Sequence, residues 1–502
     1  MKIKKIEIKD YKAFYGAQEI NVDSKNLFVY GENGSGKSSL YYALKDFFQS
    51  SIENLNYDET ENIFVDAANK GAGYIKVTFN PDKDGAVVDK TYSVAKNAKD
   101  TYTATDTSIR DALKLKSFLT YKSLLDIHHI RKEDEIDLFD LLVKGVLRHF
   151  KSVAITRGKE LGELWDDVEN AITKPLDGTA YNITKKKADV DAAITIFNTA
   201  FRQLFQLGNP ENILTYAQPI LDKFGHNIEI ELRFAGVKPT EDYKSYERNQ
   251  VRIKIKYMGK DIPKPHVFLN EARLSAIAIS IYLGMVKRHI QGVPCKLLFL
   301  DDIFIGLDIS NRLPLLEILD TDFSNYQIFI TTYDKPWYEF MKSTYLHDNP
   351  KWKSYEFYAR RTGVGFEIPV IHEINKPTHI QHYIDKAQGY FDVGDNKAAG
   401  VYLRSAFEFI LKQYCHSKKV PVGFNSDVSK MQSADFWNGV KKYKLENIHT
   451  CLLTPATQTE IDFLLRLVLN PLSHHTINRH EVGSEIQRAL TAVATLKAEL
   501  GR

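Results

Sequence analysis

Residues 31–38 read Gly31-Glu32-Asn33-Gly34-Ser35-Gly36-Lys37-Ser38, and this octet decides how the chain must be read. Two glycines with four residues between them, then lysine and serine, make the pattern of a phosphate-binding loop. The apolar run Leu27-Phe28-Val29-Tyr30 before it is a short buried strand, and Leu40 to Phe48 after it is helical in pattern. Strand, glycine loop and helix are the context such a loop requires. Glycine lets the backbone curl until its N–H groups converge on phosphate oxygens, and the helix N-terminus adds its positive end. Gly31, Asn33, Gly34, Gly36, Lys37, Ser38 and Ser39 are therefore the expected nucleotide-binding residues. Lys37 is expected on the β/γ-phosphates and Ser38 on Mg²⁺, so that ATP and Mg²⁺ are the expected cofactors.

A loop of this kind needs a second strand ending in a carboxylate. Leu297-Leu298-Phe299-Leu300-Asp301 supplies it, and Asp302 follows where a water-polarising group is wanted. Asp301 is the expected partner of Ser38 at the metal, with Asp302 and Lys37 the expected catalytic pair. Lys37 and Asp301 are separated by just over half of the chain. One strand–helix–strand unit needs far less, so a large insertion is expected between the two halves of the site.

The insertion is legible as a helix pair. Leu161, Leu164, Trp165, Val168 and Ile172 recur at helical spacing, as do Val190, Ala193, Ile194, Phe197, Phe201, Leu204 and Phe205. Lys174-Pro175-Leu176-Asp177-Gly178 breaks the pattern between them. Arms of roughly 20–25 residues are expected from this periodicity. Elsewhere, strands are expected at residues 2–9, 74–79, 86–94, 227–234, 251–257, 296–300 and 327–332, with a hairpin over 354–358 and 366–371. Residues 107–150 and 274–287 are expected to be helical, and so is everything after Lys376-Pro377. The expected divisions are an N-terminal lobe at 1–154, the helical hairpin at 155–225, a C-terminal lobe at 226–373 and an all-helical domain at 374–502.

Composition narrows the function classes. The 502 residues are 43% apolar and 26% charged, with 67 basic against 64 acidic groups. A net charge of +3 does not announce a nucleic-acid binder, so any such surface must be local. Lys185-Lys186-Lys187 reads first as a solvated helix face. Cys295, Cys415 and Cys451 are too scattered for a disulfide framework or a zinc ribbon. No apolar run approaches membrane-spanning length, so no membrane partner is expected and the cytoplasm is the expected address.

With these parts in order, the chain resembles ABC-type ATPases of the SMC/Rad50/RecF group over about residues 1–372. Leu269-Asn270-Glu271-Ala272-Arg273-Leu274-Ser275 stands where that group carries its signature segment, Gly306-Leu307-Asp308 resembles its D-loop, and Thr331-Thr332-Tyr333-Asp334 falls at its switch position. The resemblance implies an α/β P-loop head with a short helical-hairpin (coiled-coil) insertion. It also implies a homodimer or higher homo-oligomer through the heads, with Asn270 and Asp308 meeting the partner's nucleotide. Three departures matter: Asn270, Glu271 and Ala272 replace the signature serine and paired glycines, Asp302 replaces a glutamate, and the switch position has no histidine, with Tyr333 or Asp334 the expected substitute. These imply slow or partner-gated hydrolysis. Tyr121-Lys122, after Ser117-Phe118-Leu119-Thr120, is the expected Q-loop segment.

More narrowly, Phe299 to Arg312, FLDDIFIGLDISNR, and FLNEARLS at 268–275 resemble bacterial anti-phage ATPases of the PrrC/RloC anticodon-nuclease group and the Septu PtuA ATPase. In the tail, Ala399, Leu403, Ala406, Phe407, Ile410 and Tyr414 form one apolar helix face, with Arg404 and Glu408 on its flank and Asn470-Pro471-Leu472-Ser473-His474-His475 further on. Arg404, Glu408 and His474 resemble the ribonuclease triad of the HEPN helical class, in which histidine and glutamate share proton transfer while arginine stabilises the phosphate. The plain alternative is a helix salt bridge at i, i+4 in a HEPN-like packing or docking domain. His128 and His129 read as structural. Two functions remain open: a defence ATPase controlling a nuclease, either a partner protein or its own tail, with tRNA or DNA as the nucleic acid; and a RecF/Rad50-like DNA-repair ATPase.

Overall fold

Ile3, Ile6 and Ile8 are all fully buried, although strict alternation would put Ile3 and Ile6 on opposite faces. In the computed structural model a bulge between Ile3 and Lys5 of strand β1 (Lys2–Tyr11) resolves this, by absorbing one residue and returning both isoleucines to the core. The structure describes every residue except 81–86, 94–99, 104, 124–137, 155–157, 175–179, 248–250, 289–291, 347–348, 364, 375–378, 424–432, 444–450, 470–482 and 502. Leu124, Leu125, His128, His129, Lys376, Pro377, Asn470, His474 and His475 thus lie outside the described residues. The chain divides into two units, Met1–Ile374 and Asn375–Arg502.

Among its described residues the first unit holds three sheets. β1 pairs antiparallel with β2 (Phe14–Asn21) and β4 (Tyr74–Asn80), and β4 with β5 (Val88–Ser93). The six-stranded sheet contains β3 (Asn26–Gly31), β6 (Phe118–Thr120), β10 (Leu297–Asp301), β11 (Gln327–Thr332), β12 (Trp352–Arg361) and β13 (Glu367–Ile374), in the order β13-β12-β3-β11-β10-β6. All but β13 run parallel. Parallel strands covered on both faces read as unbroken apolar runs, which is why Leu27–Val29, Leu297–Leu300 and Ile328–Ile330 show no alternation. Gln327 fastens the two sheets together. Its amide accepts the Ile3 N–H at 2.7 Å and donates to the carbonyls of Ile3 and Lys25 at 2.9 and 2.7 Å. The third sheet is an antiparallel meander of β7 (Ile228–Phe234), β8 (Val251–Tyr257) and β9 (Lys260–Ile262).

Helix α1 (Lys37–Gln49) leaves the phosphate loop and buries Leu40, Leu44, Phe47 and Phe48. The described residues of 107–150, expected to be helical, include a short helix α2 (Ser108–Lys114), helical residues at 121–123 and an irregular helical turn at Leu141–Val146, but also the strand β6. β6 is apolar because it lies beside β10, not because it belongs to a helix. The helix pair is α3 (Leu161–Thr173) and α4 (Ala180–Arg202). The first arm has 13 residues and not the expected 20 or more. Lys174, preceding Pro175, is held extended, as a residue before proline prefers. The arms pack into the body through rings: Trp165 lies 5.0 Å from Phe139, Phe197 and Tyr246, and Phe201 meets Phe234 edge-on at 4.7 Å.

Helix α5 (Leu214–Asp222) had been expected within the hairpin and instead packs against α6 (Glu271–Arg288). α6 is buried on nearly every side. Contact is backbone to backbone at Gly284, where a Cβ would stand 2.7 Å from the Ala217 Cα and N. Two further helices, α7 (Ile309–Asp322) and α8 (Lys335–Ser343), follow β10 and β11. The second unit contains α9 (His379–Asp392), α10 (Asn396–Lys418), α11 (Ser433–Lys442), α12 (Pro455–Leu464) and α13 (Gly483–Glu499), with no strand among its described residues. Its core includes Leu403, Phe407, Ile410, Trp437, Ile461 and Val493.

Two outcomes are expected from this packing. Gly284→Val overpacks the α5–α6 contact and should lower stability by about 1–3 kcal/mol, read from the denaturation midpoint. Glu160 anchors the start of α3, receiving Lys114 Nζ at 2.6 Å and facing His149 Nδ1 at 2.7 Å. Burial pushes its carboxyl up, but the hydrogen bonds from His149 and Lys114 outweigh it and hold the group at about 2. A depressed folded-state value stabilises the protein above the unfolded value, near 4.5, and is lost as pH falls towards 2. Glu160→Gln should therefore cost about 1–2 kcal/mol at neutral pH and flatten the stability curve between about pH 5 and 2.

Candidate nucleotide site

The loop 31–36 needs its glycines for two separate reasons. Gly34 and Gly36 take φ of 85° and 98°, a left-handed region costly for side-chain-bearing residues. Gly36 is also pressed against β13, where a Cβ would lie 2.9 Å from Pro369 Cγ, and Gly31 leaves space that a Cβ would take from the Ser35 hydroxyl. Lys37 is buried and donates to the carbonyls of Gly31 at 2.7 Å and Glu32 at 3.2 Å. Burial lowers its pKa, and the carboxylates of Asp302 and Asp301 oppose that shift. The Ser35 hydroxyl is fully buried and lacks a hydrogen-bond partner among the described residues. Ser39 Oγ accepts the Ala13 N–H at 3.3 Å, fastening α1 to the β1–β2 turn, while Asn33 is exposed.

β11 lies between β3 and β10, with Val29, Thr331 and Asp301 in one row. Asp301 is buried, receiving Ser38 Oγ on one carboxylate oxygen at 3.3 Å and Thr331 Oγ1 on the other at 2.5 Å. Burial raises its pKa against the pull of Thr331, Lys37 and Ser38. Asp302 takes a left-handed backbone, φ 54°. Its N–H donates to Thr331 O at 3.2 Å, and its Oδ1 accepts the Tyr333 N–H at 3.0 Å. Burial pushes Asp302 up to about 6, with Lys37 lowering and Asp301 raising it.

These donors fit Mg²⁺ and a triphosphate. A hydroxyl and a carboxylate side by side suit a hard cation that keeps waters and phosphate oxygens as its other ligands. No cluster of three or more His, Cys, Asp or Glu that could hold a metal occurs among the described residues, so a protein-only metal cage is not the design there. Lys37 and the unpartnered Ser35 hydroxyl are suited to phosphate.

The other expected residues are not joined to this cluster by any described hydrogen bond. Asn270 caps α6, its Oδ1 accepting the Arg273 N–H at 3.1 Å. Asp308 caps α7, accepting Asn311 N–H at 3.0 Å, Asn311 Nδ2 at 2.7 Å and Ser310 Oγ at 2.8 Å. Tyr121 donates to Glu271 at 2.7 Å, and a Cβ on Gly306 would meet both Tyr121 and Ser275. The Q-loop candidate, the signature helix and the turn after β10 therefore pack together. Asp334 caps α8 and pairs with Arg312 Nη1 at 2.7 Å. In the second unit Arg404 Nε donates to Glu408 at 2.9 Å and its guanidinium reaches the Ser433 hydroxyl. His474 lies outside the described residues.

Sequence reasoning placed Thr331 in the switch-position segment and Arg312 in the 299–312 run, but gave neither a role of its own. The one available signal for Thr331 was a hydroxyl at the end of an otherwise apolar strand. Removing that hydroxyl while keeping its shape, in Thr331→Val, should raise the Mg²⁺ concentration for half-maximal ATP turnover by roughly tenfold, as loss of a ligand-orienting contact does.

Residues 2–349 match the family model described as RecF/RecN/SMC N terminal domain. No curated protein matches the chain. Among solved structures, the chain is similar to an Smc head with an extended coiled coil bound to the C-terminal domain of ScpA, from Pyrococcus furiosus, at 15% identity and a TM-score of 0.42, covering 77% of this chain and 100% of that one. It is also similar to an Smc head bound to the C-winged helix domain of ScpA, at 13% identity and a TM-score of 0.39, covering 76% of this chain and 100% of that one. The SMC head domain from Thermotoga maritima matches at 14% identity and a TM-score of 0.33, over 75% of this chain and 100% of that one. With the family model spanning more than half of its length, the chain belongs to the RecF/RecN/SMC N-terminal domain family.

Proposed function

We propose that this chain is an ABC-type ATPase of bacterial anti-phage defence, in which ATP-dependent pairing of two heads controls a nuclease effector. The observation that carries the ATPase reading is the convergence of Lys37, Ser38, Asp301 and Asp302 at the ends of β3 and β10. In this reading Lys37 holds the phosphates, Ser38 and Asp301 hold Mg²⁺, and Asp302 orients the attacking water. Head pairing is supported by apolar side chains left exposed beyond β10 and β11. Ile309 is 64% exposed, Leu313 45% and Tyr333 42%. The defence role is supported by the resemblance of residues 268–275 and 299–312 to anti-phage ATPases, and by a second, helical unit that carries the Arg404–Glu408 pair. The effector is either that unit or a separate partner nuclease.

A second reading, a DNA-repair ATPase of RecF type, has one observation in its favour. A groove of about 1030 Å³ beside the end of α4 is lined by Arg202, Arg233, Lys238 and Arg252 against Glu231 and Glu247. Arg233 stands directly across from Arg252 in the β7–β8 ladder. Arg233 is paired with Glu231, its Nε donating at 2.7 Å, and a polyanion could draw on the arginines of this groove.

Asp302→Asn should keep ATP binding and lower turnover by about a hundredfold or more, whereas Lys37→Ala should weaken binding itself. Equilibrium binding and phosphate release separate the two. The effector is tested by tRNA integrity in cells expressing wild type, Lys37→Ala and His474→Ala. Cleavage lost in both variants makes the helical unit an ATP-gated ribonuclease. Intact tRNA in all three assigns that unit to docking, and ATP-stimulated DNA binding without tRNA cleavage favours the repair reading.

A further inference from the structure

We propose that Arg312 is a positioning residue that links the docking of a second head to the orientation of Asp302, an inference that rests on the ATPase reading above. A short series of contacts carries it. Asp302 sits in a left-handed conformation, which aspartate tolerates better than most residues with a side chain, and its side chain is held by the Tyr333 N–H at 3.0 Å. The next residue, Asp334, donates its N–H to Thr332 Oγ1 at 3.1 Å and accepts the Trp337 N–H at 3.0 Å, so the turn 332–334 is fastened to α8. The second oxygen of Asp334 takes Arg312 Nη1 at 2.7 Å, while Arg312 Nε donates to Leu307 O at 2.7 Å.

One guanidinium therefore ties the backbone just before Asp308 to the turn that holds Asp302. The Arg312 side chain is 12% exposed and lies over the Trp337 ring at 5.2 Å. Burial and stacking fix the plane of the fork, and two differently aimed N–H groups serve two acceptors at once, which a lysine ammonium on a flexible stem does poorly. On the same helix Ile309 and Leu313 lie one turn apart and remain exposed, with Ile305 just before them. A second copy of this chain covering that strip would press on α7, and Arg312 is the side chain of α7 that reaches the Asp302 turn. No histidine occupies the switch position. This ion pair takes over the task of reporting that the partner head is seated.

The test compares wild type with Arg312→Gln, Arg312→Lys, Asp334→Asn and the double variant Arg312→Gln/Asp334→Asn. Three readouts are used: mant-ATP affinity, kcat as a function of protein concentration, and hydrogen exchange of the peptide containing Tyr333. The expected result is affinity within about twofold of wild type and kcat lowered roughly tenfold or more in Arg312→Gln, with loss of its dependence on protein concentration. Arg312→Lys should recover part of kcat, and the double variant should be no worse than the worse single, as for two members of one link. Tyr333 exchange should accelerate in Arg312→Gln. Wild-type exchange and wild-type kcat in Arg312→Gln would overturn the proposal, as would additive losses in the double variant. Faster Tyr333 exchange in a chain whose wild type does not hydrolyse ATP would leave the link standing and overturn the ATPase reading instead.

Discussion

Everything at the candidate site depends on one row of the parallel sheet, in which Val29, Thr331 and Asp301 stand side by side on β3, β11 and β10. That register places the first residue group of α1 against a carboxylate from the far half of the chain, and Ser38 meets Asp301 across it. A one-residue slip in a strand turns every side chain to the opposite face, so it would carry Asp301 away from Ser38 and Thr331 together. The register is held by burial of all three strands apart from Asn26 at the start of β3 and, at the opposite end, by the Gln327 amide that locks β11 to β1 and to Lys25. The insertion between the two halves can be long because nothing in it has to set this alignment.

The residues of the loop and of the β10 strand could be read directly, because their chemistry is written in consecutive positions: Gly31 to Ser38, and Leu297 to Asp302. The apolar runs at 27–30, 297–300 and 327–332 could be read for the same reason, since strands buried on both faces carry no competing helical pattern. What was not legible is what depends on contacts between distant segments. β2 carries Tyr15, Gln18 and Glu19 and has no apolar alternation, because much of it faces solvent. The three-residue β6 owes its existence to pairing with β10. The helix pair was visible, but its first arm came out short, because the proline break acts from Lys174 onwards and the periodicity before it begins only at Leu161.

Asn270 and Asp308 illustrate a different limit. Both were assigned to a partner's nucleotide through resemblance, and in a single chain both are occupied as helix caps. The two roles are compatible, because a capping carboxylate or amide keeps lone pairs and leaves the adjacent helix N-terminus facing outward. Arg312 and Thr331 were named only as members of longer segments, because a single arginine or threonine has no pattern of its own. Their importance lies in what they touch, and each joins a residue of the site to a segment remote in sequence. The second unit is legible as helical from its spacing, but Arg404 and Glu408 are neighbours on one helix. Their pairing therefore follows from helical geometry whatever the unit does.

The most direct test of the account is a crystal structure of Asp302→Asn with ATP and Mn²⁺, the metal located by its anomalous scattering. The account predicts the triphosphate wrapped by residues 31–38 with Lys37 swung from the Gly31 carbonyl onto it, and the metal between Ser38 and Asp301. A triphosphate bound elsewhere, or a metal that leaves Ser38 and Asp301 hydrogen-bonded to each other, would contradict it.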